Sequence, residues 1–289
     1  MLPRTPHDRH VDACIAALSC GAEPGVPATA GAVAAPVRAG APCCLVFSPH
    51  PDDEALSGAL ALRLRQRHGW RVVNVAVTLG SRLDRRAARW AEAQASCDYL
   101  GFELVSPLGV PGRALERITP DAAAAEPVRW AQAAGALALL LRHLAPRVVL
   151  APHAGDGHPA HIGTHRLVRD ALAACGEALD VHLLWSEYWM PQPAPRLMLG
   201  LAAGEVAQLM TATALHIGEV SRHPYHLSLP ALLIDSARRG AELIGGLGAT
   251  PAGVPMAALY GWDRWRGGKA HSMPGQALGV DEDLAALLT

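Results

Sequence analysis

The sequence predicts an α/β fold, a mostly parallel sheet flanked by helices, and three observations carry that expectation. Runs at Cys43 to Ser48, Arg71 to Val77 and Arg147 to Ala151 are rich in Val or Leu and apolar on both faces, as strands covered on both sides are. Helical patterns alternate with these runs, the signature of helices packed on a parallel sheet. Two polar, histidine-bearing segments, Ser48 to Glu54 and Ala151 to His161, stand where a strand run gives way to a helix pattern. The carboxyl ends of parallel strands open onto one crevice.

Taken in order, the first 41 residues differ from the rest. Arg4, Asp8, Arg9 and Asp12 precede any apolar run, and Ala13 to Leu18 makes a poor secretory core, so a cytoplasmic location is the default expectation. Residues 21 to 41 are almost wholly Gly, Ala, Pro, Val and Thr without periodicity, which predicts a linker. The expected organisation is an irregular extension over residues 1–41 and a single domain over residues 42–289.

The helix after the first strand has Pro51 near its first position and Asp52, Asp53 and Glu54 in its first turn. Arg63, Arg65, Arg67 and His68 lead to an end closed by Gly69, and Leu56, Ala59, Leu60 and Leu64 face the sheet. Further helices are expected over Arg85 to Leu100, Val128 to Leu144 and His161 to Cys175, stopped by Gly101, Pro146 and Gly176. The most apolar stretch, Ala133 to Leu141, ends at Arg142 and His143, short of the roughly 20 residues of a membrane span. Beyond Asp180 the periodicity fades.

A formal net charge of −1 and the lack of a basic stripe interleaved with aromatics argue against a nucleic-acid partner. A small-molecule substrate fits better. Six cysteines stand without a CxxC pair or zinc-ribbon spacing, as buried, reduced thiols do.

The two loops carry the chemistry. An imidazole and a carboxylate from the first, with a second imidazole from the other, give three protein ligands and an open position, the arrangement of catalytic zinc. Of the adjacent Asp52 and Asp53, one can bind the metal while the other accepts a proton from water. His158, three residues before His161, can donate to an oxyanion or leaving amine. Taken alone, the acidic run would be only a dipole-matched helix start. His50, Asp52 and His161 also spell the two-histidine, one-carboxylate set of non-haem iron oxygenases, although the alternating strands and helices argue against the all-β barrels usual for that chemistry. A third alternative is a Rossmann-like binding protein without catalysis. Trp185, Tyr188 and Trp189 can stack on a sugar or apolar ring, or pack in the core. His165 suits a supporting or surface role, and Tyr260, Trp262, Trp265 and Arg266 a packed tail or a lid.

His50-Pro51-Asp52-Asp53-Glu54 after the first strand and Gly157-His158-Pro159-Ala160-His161 later resemble the motifs of the PIG-L/LmbE family of zinc-dependent N-acetylglucosaminyl de-N-acetylases, over roughly residues 42 to 190. The resemblance implies a Rossmann-like fold, Zn2+ on His50, Asp53 and His161, Asp52 as general base and His158 as the acid or oxyanion-stabilising group. It also matches Thr78-Leu79-Gly80 and Arg89-Trp90-Ala91-Glu92, which makes Arg89 a substrate ligand. Two departures stand out: Ala160 replaces the aspartate of His-Pro-Asp-His, and Gly112 stands where an aspartate grips sugar hydroxyls. The family's C-terminal Ser-Gln region is not recognisable around His216 to Ser221.

Overall fold

The computed structural model describes residues 5–19, 36–250 and 253–288. Its centre is one mixed sheet. Strands β1 (Cys43–Ser48), β2 (Arg71–Ala76), β3 (Glu103–Val105), β4 (Val148–Pro152) and β5 (Val181–Ser186) run parallel in the order β3-β2-β1-β4-β5. Each residue of β1, β4 and β5 is buried, which is why those runs read as apolar on both faces. The sheet then turns mixed: β7 (Ala257–Arg266) pairs antiparallel with β5 and with β6 (Leu197–Gly200). Strand β8 (Lys269–Ser272) is antiparallel to β7, and β9 (Gln276–Leu278) parallel to β6.

Two apolar layers cover the parallel part. On one side Trp130, Leu137 and Leu141 of the helix Pro127–Leu144 join Leu167 and Val168 of the helix Pro159–Cys175 against Leu45 and Val149. On the other, Leu60 and Leu64 of the helix Ala59–His68 and Leu100 of the helix Arg86–Leu100 pack on Cys44 and Val46. Gly69 and Gly101 close their helices in the left-handed conformation, with φ 67° and 74°, as expected for C-terminal glycines.

Three differences from the sequence expectations are informative. The helix after β1 is two pieces, Asp53–Leu56 and Ala59–His68, broken at Ser57 and Gly58. A side chain at Gly58 would collide with the Glu54 carbonyl. Arg63 does not serve the helix C-terminus but is fully buried, its Nε donating to Glu205 Oε1 at 2.8 Å and its Nη2 to Glu205 Oε2 and the Gly200 carbonyl, each at 2.6 Å. The extension contains a helix, Pro6–Ser19, while most of the proposed linker, residues 21–35, lies outside the described residues. Tyr260, Trp262 and Trp265 belong to β7 and are buried, a packed strand rather than a lid. Among the described residues no helix is long and apolar enough to cross a membrane.

Candidate active site

The strand order reverses at β1, whose neighbours β2 and β4 lie to either side. The chain beyond the carboxyl ends of β1 and β4 therefore meets in the crevice where open α/β sheets bind ligands. His50, Asp52 and Asp53 leave β1, His158 and His161 follow β4, and all five line one open cleft of about 920 Å³.

Asp53 sits between two imidazoles. Its Oδ2 lies 3.5 Å from His50 Nδ1 and 3.3 Å from His161 Nε2, and also accepts the His50 backbone N–H at 2.9 Å. The nitrogens of His50, His158 and His161 come within 4.8 Å of one another. His161 is almost fully buried, and its Nε2 has no hydrogen-bond partner. An orphaned imidazole nitrogen aimed at a shared carboxylate fits a cation held by His50, Asp53 and His161. The iron-type alternative fits less well, because Asp53 rather than Asp52 stands between the imidazoles.

The electrostatics separate the neighbouring carboxylates. Burial and the adjacent Asp53 charge push the Asp52 carboxyl well above its ordinary range. Burial opposes ionisation of Asp53 too, but the facing His161 and His50 imidazoles override it and hold Asp53 well below. His161 is raised to about 10, since Asp53 and Asp156 outweigh its burial. Adjacent groups driven apart in this way can take different roles.

Neighbouring residues fix this geometry. Asp156, 1% exposed, places Oδ1 2.9 Å from His161 Nδ1 and accepts the Tyr188 backbone N–H on Oδ2 at 3.0 Å. One carboxylate thereby orients a candidate ligand and anchors the segment carrying Trp189. Thr78 Oγ1 donates to the Pro49 carbonyl at 2.7 Å and pins the turn before His50.

Asp52 has φ 114° and ψ −28°, a strained conformation for a residue with a side chain. It is held there from the next residue but one: Asp52 N–H donates to Glu54 Oε2 at 3.0 Å, and Glu54 Oε1 meets His216 Nε2 at 2.7 Å. Both Glu54 and His216 are fully buried. Sequence reasoning missed this role of His216, which no local motif marks.

His158 caps the helix Pro159–Cys175, its Nδ1 accepting the Ala160 N–H at 3.2 Å. Burial and the charges of His50 and His161 lower its pKa. Arg89 lies beside Asp52, its Nη2 donating to the Pro51 carbonyl at 3.0 Å and its Nε 3.7 Å from Glu219 Oε1. Trp189, 47% exposed, stacks on His158 and meets Tyr188 and Tyr225 edge-on. Trp185 and His165 pack together in the interior, and burial lowers His165 to about 4. Gly112 lines a smaller pocket adjoining the cleft rather than the cleft itself.

Fold and site define a class: an α/β protein of Rossmann-like topology with a His-Asp-His centre at its strand-order switch. Residues 45–172 match the PIG-L family, GlcNAc-PI de-N-acetylase. A relative from Mycobacterium leprae, 1D-myo-inositol 2-acetamido-2-deoxy-alpha-D-glucopyranoside deacetylase, is 32% identical over 170 residues, covering 51% of this chain and 55% of that protein. The chain thus matches about half the length of this curated relative. Similar folds occur in the conserved protein TT1542 from Thermus thermophilus, with TM-score 0.55, 23% identity and coverage of 75% and 92%. The N,N'-diacetylchitobiose deacetylase from Pyrococcus horikoshii gives TM-score 0.56, 15% identity and coverage of 90% and 94%.

Proposed function

We propose that the protein is a zinc-dependent amide hydrolase that removes an N-acyl group, acetyl in the first instance, from a small sugar-like or natural-product substrate. The observation that carries this reading is the convergence of His50, Asp53 and the orphaned His161 Nε2 at the end of β1 and β4. The names of the relatives support the same chemistry: an inositol-linked acetamido sugar deacetylase and a diacetylchitobiose deacetylase.

In this reading His50, Asp53 and His161 hold the metal. Zinc, when bound, lowers the pKa of its water towards 7 and polarises the acyl oxygen. Asp52, buried beside the metal ligands and not itself between the imidazoles, accepts the water's proton. His158, whose ring packs against both His50 and His161, donates to the oxyanion or to the departing amine. Arg89 and Trp189 position the substrate, one by hydrogen bonding and one by stacking. The oxygenase alternative asks for Asp52 as a ligand, and an inactive binding protein would have no need of a full acid–base set.

The test is release of free amine from a panel of N-acetyl sugars and other N-acylated metabolites, with zinc content measured in parallel. We expect about one zinc per chain, and loss of both zinc and activity in Asp53→Ala. Full zinc and normal turnover in that variant would refute the ligand assignment.

A further inference from the structure

The cleft lining is of two unlike kinds. Trp189, Tyr188 and Tyr225 form an aromatic cluster, with His223 stacked on Tyr225. The other charged lining is dominated by Arg82, Arg85, Arg86, Arg89, Arg117 and Arg222, against which only Glu116 and Glu219 stand once Asp52 and Asp53 are set aside. The chain as a whole has 25 basic and 26 acidic residues, so the cationic excess is local to the cleft.

Folding alone does not ask for these arginines here. Arg85, Arg86 and Arg89 stand at the start of the helix Arg86–Leu100, whose first turn has no acidic residue, although the helix dipole favours carboxylates at that end. Departures from local preference of this kind concentrate at functional sites. Two glycines make room for the guanidinium groups. A side chain at Gly80, where φ is 80°, would overlap the Arg89 guanidinium, and one at Gly218 would overlap that of Arg85.

The arginines are held in place without being used up. Arg82 pairs with Asp84 at 2.6 Å, Arg85 with Glu92 at 3.3 Å and Arg222 with Glu219 at 3.1 Å, while Arg86 pairs with Glu116. A guanidinium has five N–H donors and one carboxylate takes two of them. The Nε atoms of Arg86 and Arg89 are buried without hydrogen-bond partners. Ion pairing therefore fixes the groups and leaves donors over.

We propose that the substrate of this cleft carries an acidic group, a phosphate or a carboxylate, bound by these arginines while the aromatic cluster covers the ring. The acyl-sugar part of the statement rests on the proposed hydrolase activity; the anion contact does not. Arg82 and Arg222, whose side chains are 64% and 55% exposed, are with Arg117, at 75%, the members least engaged in packing.

Binding to the zinc-loaded full chain by calorimetry tests this without turnover, using D-glucose, D-glucose 6-phosphate and D-glucuronate, none of which has an amide to cleave. At least one acidic sugar should bind about tenfold more tightly than glucose, the contribution expected of one or two charge-assisted contacts. The phosphate and carboxylate arms tell which acid is preferred, and the contrast should shrink in 0.5 M salt, where screening is stronger. In Arg82→Gln/Arg222→Gln the acidic-to-neutral ratio should fall at least about fivefold, and a ratio does not depend on the fraction of folded protein. Equal binding of glucose and both acids would overturn the proposal. So would a contrast that the double variant retains and zinc removal abolishes, since that would put the anion on the metal. Should the contrast hold while no N-acetyl compound releases amine, the hydrolase reading fails and the anion site stands.

Discussion

The parallel strands β1 to β5 bring His50, Asp52, Asp53, His158 and His161 into the cleft through two short loops, each continuous in sequence. The chain after Ser186 contributes differently. Trp189 stacks on His158, His216 meets Glu54, Glu219 approaches Arg89, and Tyr225 packs on Trp189. On the proposed reading the first region supplies the reactive groups, and the second adds residues that hold or cover them. A residue that reacts must be near other reactive groups, which strand ends arrange locally; a residue that props can come from any distance.

The division is broken most directly at Asp52. If the first region holds the chemistry, Asp52→Asn keeps shape and removes basicity, and turnover should fall by about 10² to 10⁴ with zinc content unchanged. Rate measurements alongside metal analysis check it. Loss of zinc instead would exchange the roles of Asp52 and Asp53.

The next largest effect concerns the prop. Glu54→Gln should destabilise the protein by about 3 kcal/mol, as breaking a buried ion pair does, read from urea unfolding. The pH dependence has a definite sign. His216 is raised above 6.5, since Glu54 outweighs its burial, so its contribution is complete below 6.5 and is lost as pH rises through the raised value. Glu54 is lowered from 4.5, because His216 outweighs its burial, so its contribution is complete above 4.5 and is lost as pH falls through the lowered value. The gap between native protein and variant should therefore be widest between about 4.5 and 6.5 and narrower at pH 9. An equal gap at pH 6 and pH 9 would mean that Glu54 acts through packing alone.

These two tests also mark what the sequence discloses. The three parallel strands read from composition are present within a residue at each end, and the motif loops lie at strand ends, because burial on both faces and helix-end chemistry leave local traces. The Glu54–His216 pair leaves none: 162 residues separate its members, and a glutamate in a helix's first turn looks like dipole matching. Arg63 misleads for the same reason, since its partner Glu205 is 142 residues away. By resemblance Gly112 stands where an aspartate grips sugar hydroxyls, and here it lines the pocket adjoining the cleft. Long-range pairing has no periodicity, so only the fold reveals it.

Asp156 sharpens the comparison because it joins the two regions, His161 on one side and the Tyr188 backbone on the other. Asp156→Asn cannot accept from both with a charged oxygen. Zinc affinity should drop about 10- to 100-fold, as for other carboxylates behind ligand histidines, measured by competition with a chelator. Unaltered affinity would restrict Asp156 to holding the Tyr188 segment.

The smallest effect tests whether His158 belongs with the reactive group at all. Its Nδ1 accepts the Ala160 N–H, which favours the neutral ring, and burial together with the His50 and His161 charges lowers its pKa further. Asp156, a carboxylate able in principle to offset this, is turned to His161. If His158 must be protonated to act, activity should decline early on the alkaline side, because the protonated fraction is lost as pH passes the lowered value. Ala160 lines the cleft in the first turn of the helix Pro159–Cys175. A carboxylate there suits the helix dipole, so Ala160→Asp should fold. Its charge should stabilise the imidazolium and move the alkaline limb of kcat/KM upward by about one pH unit or less, the low end of what a nearby opposite charge does. Fixed zinc content would assign the shift to His158 rather than to the metal ligands. An unmoved limb in Ala160→Asp, joined with an unaffected rate in His158→Ala, would remove His158 from the chemistry and leave it as the cap of its helix and the stacking partner of Trp189.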